Sequence, residues 1–356
     1  MVSGARAVVA APEVRRVLGF LSPQLQADRD RSLIGTDPSV SVVVLNRDGL
    51  RFLDACLSAS LDQEVDGGHE VLLVDNGSSD GSAEHVRQRH QRVRVIEAGR
   101  NLGFAAGNNL GIREARGELV VLLNNDTRVR PGWLQALVEV AGADPRAGAV
   151  TSKLLFAEPA GVIQNAGSLL LSDGSGGDRG SGEPDAGQFD KREEVFAFCG
   201  AAALLRREAL ADVGVFDEDY FMYYEDTDLS WRLRLRGWRV VYEPRAVVDH
   251  WHAASSGRDS RFMRFHADRN RLFTVLKNAP PSFVGRSFLS LGRRAAAPTG
   301  PAGTPREGSK PRVLASFAAH LPAMLARRLR IRARRTAPDA EVLRWIYSRE
   351  RWDARS

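Results

Sequence analysis

The chain has 356 residues, 43% of them hydrophobic and 26% charged, with a formal net charge of +6; it can bury a full core, and its longest apolar runs fall far short of the ~20 residues that span a bilayer. Cys56 and Cys199 lie far apart in apolar surroundings and read as buried free thiols, which fits a reducing cytoplasm and excludes a disulfide framework. Arg15 and Arg16 interrupt the apolar opening stretch, so neither a signal peptide nor a transmembrane helix is expected, and the charge is too modest to suggest a nucleic-acid partner.

Residues 1–38 read as an N-terminal extension. From Ser39 the pattern turns regular: VSVVVLN is a short β-branched run, and LRFLDACLSASL repeats Leu50, Leu53, Leu57 and Leu61 at helical spacing. The alternation continues through HEVLLVD, SAEHVRQRHQ, VRVIEAG, NNLGIREARG, ELVVLLNNDT and GWLQALVEVAGAD. Strands alternating with helices predict a mostly parallel α/β sheet covered on both faces. Residues 172–190 are rich in Gly, Ser and Asp and read as a mobile loop or hairpin tip. Next come a strand running into a helix (VFAFCGAAALLRREAL), a helix opened by acids (FMYYEDTDLSWRLRLRGW) and a strand from RVVYEP towards VVDHWHAASSG. A Pro/Gly-rich linker follows, then two short helices. Between Lys310 and Arg335 there are eight Lys or Arg and no acid, which points to an anionic partner surface, although Pro322 should kink any helix there.

Ligands of such sheets bind beyond the carboxyl ends of the strands, and the polar clusters at Asn46, Asp75 and Asn124 to Asp126 fall there. Asp126, with Asn124 two positions back on the same side of an extended strand, offers oxygen donors suited to Mg²⁺ or Mn²⁺; Asn-Asp-Thr is also ordinary turn chemistry. Glu225, Asp226 and Asp228 open a helix, where one acid would serve for capping and a carboxylate can also take a proton from a hydroxyl. Asp249 and His250 end a strand and could complete a metal shell, with His252 on the side of His250 and Ser255 to Gly257 offering donors for phosphate. The run Asn101 to Asn109 places small residues where backbone approaches a ligand or another element closely. It is neither a Walker loop nor a strong Rossmann fingerprint.

Taken in order, VSVVVLNRDG, EVLLVDNGSSDGS, NLGFAAGNNLGI, LLNNDT, FCGAAALLRREAL, FDEDYFMYYEDTDLSWRLRLRGW and AVVDHWHAASSG resemble the family-2 glycosyltransferases, and most of all a bacterial rhamnosyltransferase-like branch. The resemblance covers residues 39–280. It implies a GT-A-type nucleotide-diphospho-sugar transferase fold with a nucleotide-sugar half (39–150) and an acceptor half (151–280), to which composition adds a linker (281–310) and a basic helical tail (311–356) as a helical C-terminal extension. It further implies an inverting, metal-dependent transfer from a dTDP- or UDP-sugar to a glycan or lipid-linked acceptor, in the cytoplasm and at the inner face of the cell membrane. By position, Asp226 corresponds to the catalytic base, Asp126 and His250 to metal ligands, and Asn46, Asp75, Asn101, Gly103 and Asn124 to the donor nucleotide site. Gly200, Glu225, Trp231 and His252 fall in the acceptor or diphosphate region. Asn124 stands where the family's metal motif has its first acid, which leaves the cation mainly to Asp126 and the diphosphate. A sugar nucleotidyltransferase and a catalytically silent nucleotide-sugar-binding scaffold are the rival readings.

Overall fold

The computed structural model describes residues 38–251, 261–296 and 310–348. Residues 1–37, His252, Ser255 to Gly257 and 297–309 lie outside them, and the first part of the expected linker, Pro281–Ala296, is helical instead.

The first half alternates as expected: β1 (Val40–Asn46), α1 (Leu50–Leu61), β2 (His69–Asp75), α2 (Ser82–Arg89), β3 (Val93–Glu97), α3 (Gly103–Glu114), β4 (Leu119–Asn124), β5 (Thr127–Val129), α4 (Trp133–Ala143) and β6 (Ala147–Phe156). There follow β7 (Ile163–Asn165), β8 (Ser168–Leu171), β9 (Gly176–Asp178), β10 (Glu193–Glu194), β11 (Ala202–Arg206), α5 (Arg207–Val213), a short 3₁₀ turn (Glu218–Tyr220), α6 (Glu225–Leu235) and β12 (Arg239–His250). The chain continues through α7 (Arg261–Asn278), α8 (Pro281–Ala296), α9 (Lys310–Arg334), α10 (Asp339–Leu343) and β13 (Ile346–Tyr347).

The main sheet runs β3-β2-β1-β4-β11-β6-β12-β10, with β5 beside β12 and β7 beside β6. β3, β2, β1 and β4 are parallel, β11 is antiparallel to both β4 and β6, and β6 and β12 are parallel. Successive side chains of a strand point to opposite faces. Val40, Val42 and Val44 of β1 therefore meet Leu53 and Leu57 of α1 and Leu134 and Leu137 of α4 in one core. Val43 meets Ile112 of α3 and Leu229 and Leu233 of α6 in the other. A sheet buried on both faces reads as continuous β-branched runs, which is why its strands were visible in the sequence.

The small residues of α3 are explained by this packing. A Cβ at Gly107 would fall 2.6 Å from Leu45 Cδ1, and at Gly111 it would run into Val43, so these glycines let the helix lie close on the sheet. The polar stretch 172–190 is not only a loop, because β9 within it pairs antiparallel with β8.

The basic segment departs from expectation. It forms one 25-residue helix that continues through Pro322, followed by the short α10. Its buried stripe is Val313, Phe317 and Met324, packed with Tyr220, Leu272 and Phe273. Several of its arginines are already engaged. Arg327 pairs with Asp217 at 2.9 Å and Asp219 at 2.5 Å, Arg328 donates to the carbonyls of Leu276 and Ala279, and Arg332 and Arg335 pair with Asp339. The helix is thus docked on α7 and the turn at Tyr220, and the expectation that its charge as a whole faces an anionic surface is corrected. Among the described residues no helix is long and apolar enough to cross a membrane.

Candidate active site

The carboxyl ends of β1, β2 and β4 lie side by side, because Asn46 is in register with Asp75 and Leu45 with Asn124. At this edge Asn46 is fully buried. Its Nδ2 donates to Ser78 Oγ at 3.1 Å and lies 3.5 Å from Asp75 Oδ1, and its Oδ1 accepts from Asn125 Nδ2 at 2.6 Å. Asp75 Oδ2 accepts the Ser78 N–H at 3.2 Å, which shapes the loop into an Asx-type turn. Asn101 Oδ1 accepts the N–H of Gly103 at 2.9 Å, and Asn76 braces the same stretch through Leu102 N and Gly103 O. Gly103 has φ +81°, and a Cβ there would fall 2.6 Å from the carbonyl oxygen of Phe221. Only glycine fits that contact without strain.

β5 turns back beside the end of β12, pairing Thr127 with His250. This short pairing brings Asp126 and His250 together across 124 residues: His250 Nε2 lies 3.1 Å from Asp126 Oδ1, and both side chains are buried. On its other side His250 Nδ1 lies 2.7 Å from Gln164 Oε1 on β7. With the carboxamide in this orientation Nδ1 donates to Gln164, which leaves Nε2 facing the acceptor oxygen of Asp126. Two such acceptors in contact require a proton or a cation between them. One nitrogen and one oxygen donor, with the imidazole held by a carboxamide behind it, is a donor set that suits a divalent ion. Asp249 does not join it. Strand alternation turns its side chain the other way, where it pairs with Arg130 at 2.8 Å and Arg128 at 3.5 Å.

The third part of the site is the start of α6. The chain enters it through left-handed backbone at Phe221, Tyr223 and Tyr224, with φ of 65°, 70° and 70°. Such conformations persist only when their surroundings over-determine them. Buried Asn270 of α7 does this, with its Nδ2 2.9 Å from Tyr220 O and 2.8 Å from both Met222 O and Tyr223 O.

The three acids beyond this segment occupy three environments. Asp226 is half-buried; its Oδ2 accepts Gly200 N–H at 3.2 Å and its Oδ1 accepts Thr227 N–H at 2.6 Å. Burial raises its pKa, and those hydrogen bonds to the charged form restrain the rise. Glu225 is buried with Oε2 lacking a hydrogen-bond partner, and burial, with the neighbouring Asp226 charge, holds its carboxyl well above the ordinary range. Asp228 turns inward to Lys277 Nζ and Arg232 Nε, each at 2.9 Å, and belongs to the core. Gly200 touches both Asp226 and Phe104: a Cβ there would lie 3.1 Å from the Phe104 ring.

Trp231, expected in the acceptor region, is a core residue. It is 1% exposed and packs edge-on against Phe196 and Phe283, because five residues past Asp226, about 1.4 turns, the α6 surface has rotated into the third apolar cluster. Two residues enter the site that the sequence reading did not single out, Gln164 behind His250 and Asp178 on β9. Asp178 is exposed as a residue, but protein crowds its carboxyl, and this partial desolvation, with the charge of Asp226 adding, pushes it up to about 6 against the hydrogen bond from Asn165. In the sequence Asp178 is one of several acids in a Gly/Ser-rich stretch, and no local pattern separates it from them.

Comparison with known proteins agrees with this architecture. Residues 39–214 match the model for "Glycosyl transferase family 2". The chain is 36% identical over 233 residues to an N-acetylglucosaminyl-diphospho-decaprenol L-rhamnosyltransferase of Mycobacterium tuberculosis, an alignment covering 59% of this chain and 73% of that protein. It is 31% identical over 232 residues to the O-antigen biosynthesis protein RfbC of Myxococcus xanthus, covering 63% of this chain and 18% of that one. Among solved structures, GalNAc-T7 crystallised with UDP, GalNAc and Mn²⁺ superposes with a TM-score of 0.59 at 15% identity, covering 82% of this chain and 61% of that chain, which shows a shared GT-A fold.

Proposed function

Since the chain belongs to glycosyltransferase family 2, in its rhamnosyltransferase-like branch, we propose that it transfers a sugar with inversion from a nucleoside-diphosphate donor to a hydroxyl of a glycan or lipid-linked acceptor. The mycobacterial relative is named for L-rhamnosyl transfer to a lipid-diphosphate-linked N-acetylglucosamine. By extension, rhamnose is the first donor sugar to test, carried on dTDP or UDP.

The observation that carries the mechanism is the isolation of one ionisable base. Of the three acids at the start of α6, Glu225 is pushed well above the ordinary carboxylate range by burial, Asp228 is tied to Lys277 and Arg232, and Asp226 alone is placed to act as the base. A raised pKa makes Asp226 a stronger base than an ordinary carboxylate, and it takes the acceptor's proton as the hydroxyl oxygen attacks the anomeric carbon. One base is sufficient for a single displacement, whereas glycoside hydrolysis uses two carboxyl groups flanking the bond. Asn46, Asp75, Asn101 and Gly103 form the nucleoside side of the site, with Asn124 beside them on β4. Asp126 and His250 would hold Mg²⁺ or Mn²⁺, which when bound neutralises charge developing on the diphosphate leaving group. Gln164 keeps the His250 ring oriented for that task.

Asp126→Ala should weaken Mn²⁺-dependent binding of UDP or dTDP by at least about 100-fold, the upper cost of losing even a supporting partner of a metal ligand. Isothermal titration with and without Mn²⁺ measures this. Unchanged nucleotide affinity in the variant would remove Asp126 from the metal site.

A lipid-linked acceptor brings the enzyme to a membrane face, and the outer side of α9 suits such contact. Leu314, Leu325 and Leu329 are exposed there, Leu329 at 71%, with Arg312 and Arg330 also exposed. An apolar strip bordered by arginines binds an anionic interface. Leu325→Glu with Leu329→Glu should abolish sedimentation with phosphatidylglycerol liposomes while leaving turnover of a water-soluble acceptor unchanged. Deleting the whole tail is the poorer test, because it would uncover the core around Phe273.

A further inference from the structure

Away from the strand-end site, the outer face of the nucleotide half carries a second group of metal-type ligands. Asp54 lies on α1, His85 within α2, and His90 is the residue that ends α2. Both imidazole Nε2 atoms lie 2.8 Å from the same oxygen, Asp54 Oδ1, and all three ligand atoms fall within 4.8 Å of one another. The rings are 6.4 Å apart between centroids and inclined at 56°, so they converge on the carboxylate from different directions. His90 is the most enclosed, with 10% of its side chain exposed, against 27% for His85 and 55% for Asp54. One side of the trio is covered and the other is open to water.

We propose that Asp54, His85 and His90 form a binding site for a Zn²⁺-class divalent ion that clips α1 to α2. Two imidazole nitrogens and one carboxylate oxygen are the ligand types of zinc and its borderline neighbours, with water completing the shell, whereas Mg²⁺ prefers oxygen throughout. Ligand atoms about 2.0 to 2.2 Å from a tetrahedral ion are a little over 3 Å apart, so the two 2.8 Å contacts to Asp54 open slightly on binding and the two imidazole nitrogens, already within 4.8 Å, settle to the same spacing. On binding, each imidazole keeps a single proton, on Nδ1, so that its Nε2 lone pair faces the metal, and the Nε2 proton that bridges to Asp54 leaves to Nδ1 or to solvent.

The consequence is local rigidity. α1 begins after the Asn46 loop and α2 after the Asp75 loop, and Asp80 already joins them by accepting from Leu50 N at 2.9 Å and Ser82 N at 3.0 Å. A metal at Asp54 would tie the same two helices at a second point, away from the Asp126–His250 pair.

The test uses the full chain stripped with EDTA and titrated with ZnCl₂, by equilibrium dialysis and by thermal unfolding. One Zn²⁺ should be lost in the His85→Ala, His90→Ala double variant and kept in Asp126→Ala. At 100-fold excess over Kd, Zn²⁺ should raise the Tm of wild type by roughly 3 to 6 °C, and Mg²⁺ should not. Co²⁺ substituted at the site should show visible absorption that disappears in the double variant. The double variant should melt somewhat below metal-free wild type, because His90 is largely enclosed, and its Tm should not respond to Zn²⁺. Equal Zn²⁺ stoichiometry in wild type and the double variant, or no Zn²⁺ retained by wild type, would overturn the proposal and leave the trio as a hydrogen-bonded ion pair.

Discussion

Asp226→Asn is expected to lower the transfer rate by about 10² to 10⁴-fold while leaving donor affinity nearly unchanged, the usual cost of removing a general base. The substitution keeps the shape of the side chain and one oxygen for the Thr227 N–H, so the start of α6 should survive; what is lost is the ability to accept the acceptor's proton. The pH dependence gives a second readout. Because burial raises the Asp226 pKa above its ordinary value of 3.8, the acid limb of the wild-type rate profile should lie above the range of an exposed carboxylate. Activity should fall as pH drops through that raised value and the base becomes protonated. The variant's residual activity should lack this limb. Wild-type turnover in Asp226→Asn would eliminate the assignment, and a lower unfolding midpoint with proportionate loss of activity would mark a structural role instead.

The largest effect on stability is expected two residues farther on. Asp228 is fully buried and accepts from Arg232 Nε at 2.9 Å, Lys277 Nζ at 2.9 Å, Asn278 Nδ2 at 2.8 Å and Tyr220 OH at 3.2 Å. Removing the carboxylate leaves two cations in the core with fewer partners, and breaking a buried pair in this way costs about 3 to 5 kcal/mol. Lys277 still has Asp217 at 2.5 Å and Arg232 still has the carbonyls of Val213, Gly214 and Val215, so Asp228→Ala should fall near the lower end. Urea unfolding measures it. The same network sets an acid limit. Burial alone would raise the Asp228 pKa, but Lys277 and Arg232 outweigh it and hold the carboxyl well below its ordinary 3.8. A depressed folded pKa contributes stability that is present above the unfolded value and is lost as pH falls below it. Wild-type stability should therefore decline as pH drops below about 4, and Asp228→Ala should decline less steeply over that interval. Parallel acid limbs in the two proteins would show that other carboxylates govern the transition.

Asp226 and Asp228 occupy the same first helical turn, yet one is assigned to chemistry and the other to the core. The sequence reading saw three acids at a helix start and could weigh capping against catalysis only for the group as a whole. The deciding information is the surroundings of each side chain. Asp228 meets a cation from α7, 49 positions along the chain (228 to 277), Oε2 of Glu225 meets no donor, and Asp226 meets the backbone of Gly200.

By itself the sequence determined the alternation of the main strands and helices from Ser39 to Asp144 and the edge at which the polar clusters gather. Strands buried on both faces are continuous β-branched runs, and parallel strands carry their terminal residues to one side, so Asn46, Asp75 and Asn124 could be read from local pattern alone. Its seven motif blocks in order carried the family as well. Only the tertiary structure decided the rest. The pairing of β5 with β12 joins Asp126 to His250, rotation along α6 buries Trp231, β9 carries Asp178 towards Asp226, and the arginines of α9 turn to Asp217, Asp219 and Asp339 rather than to an outside surface. Each depends on a partner distant in the chain or on the angle at which an element packs. Hydrophobic periodicity records which side of an element is buried, but not what that side meets.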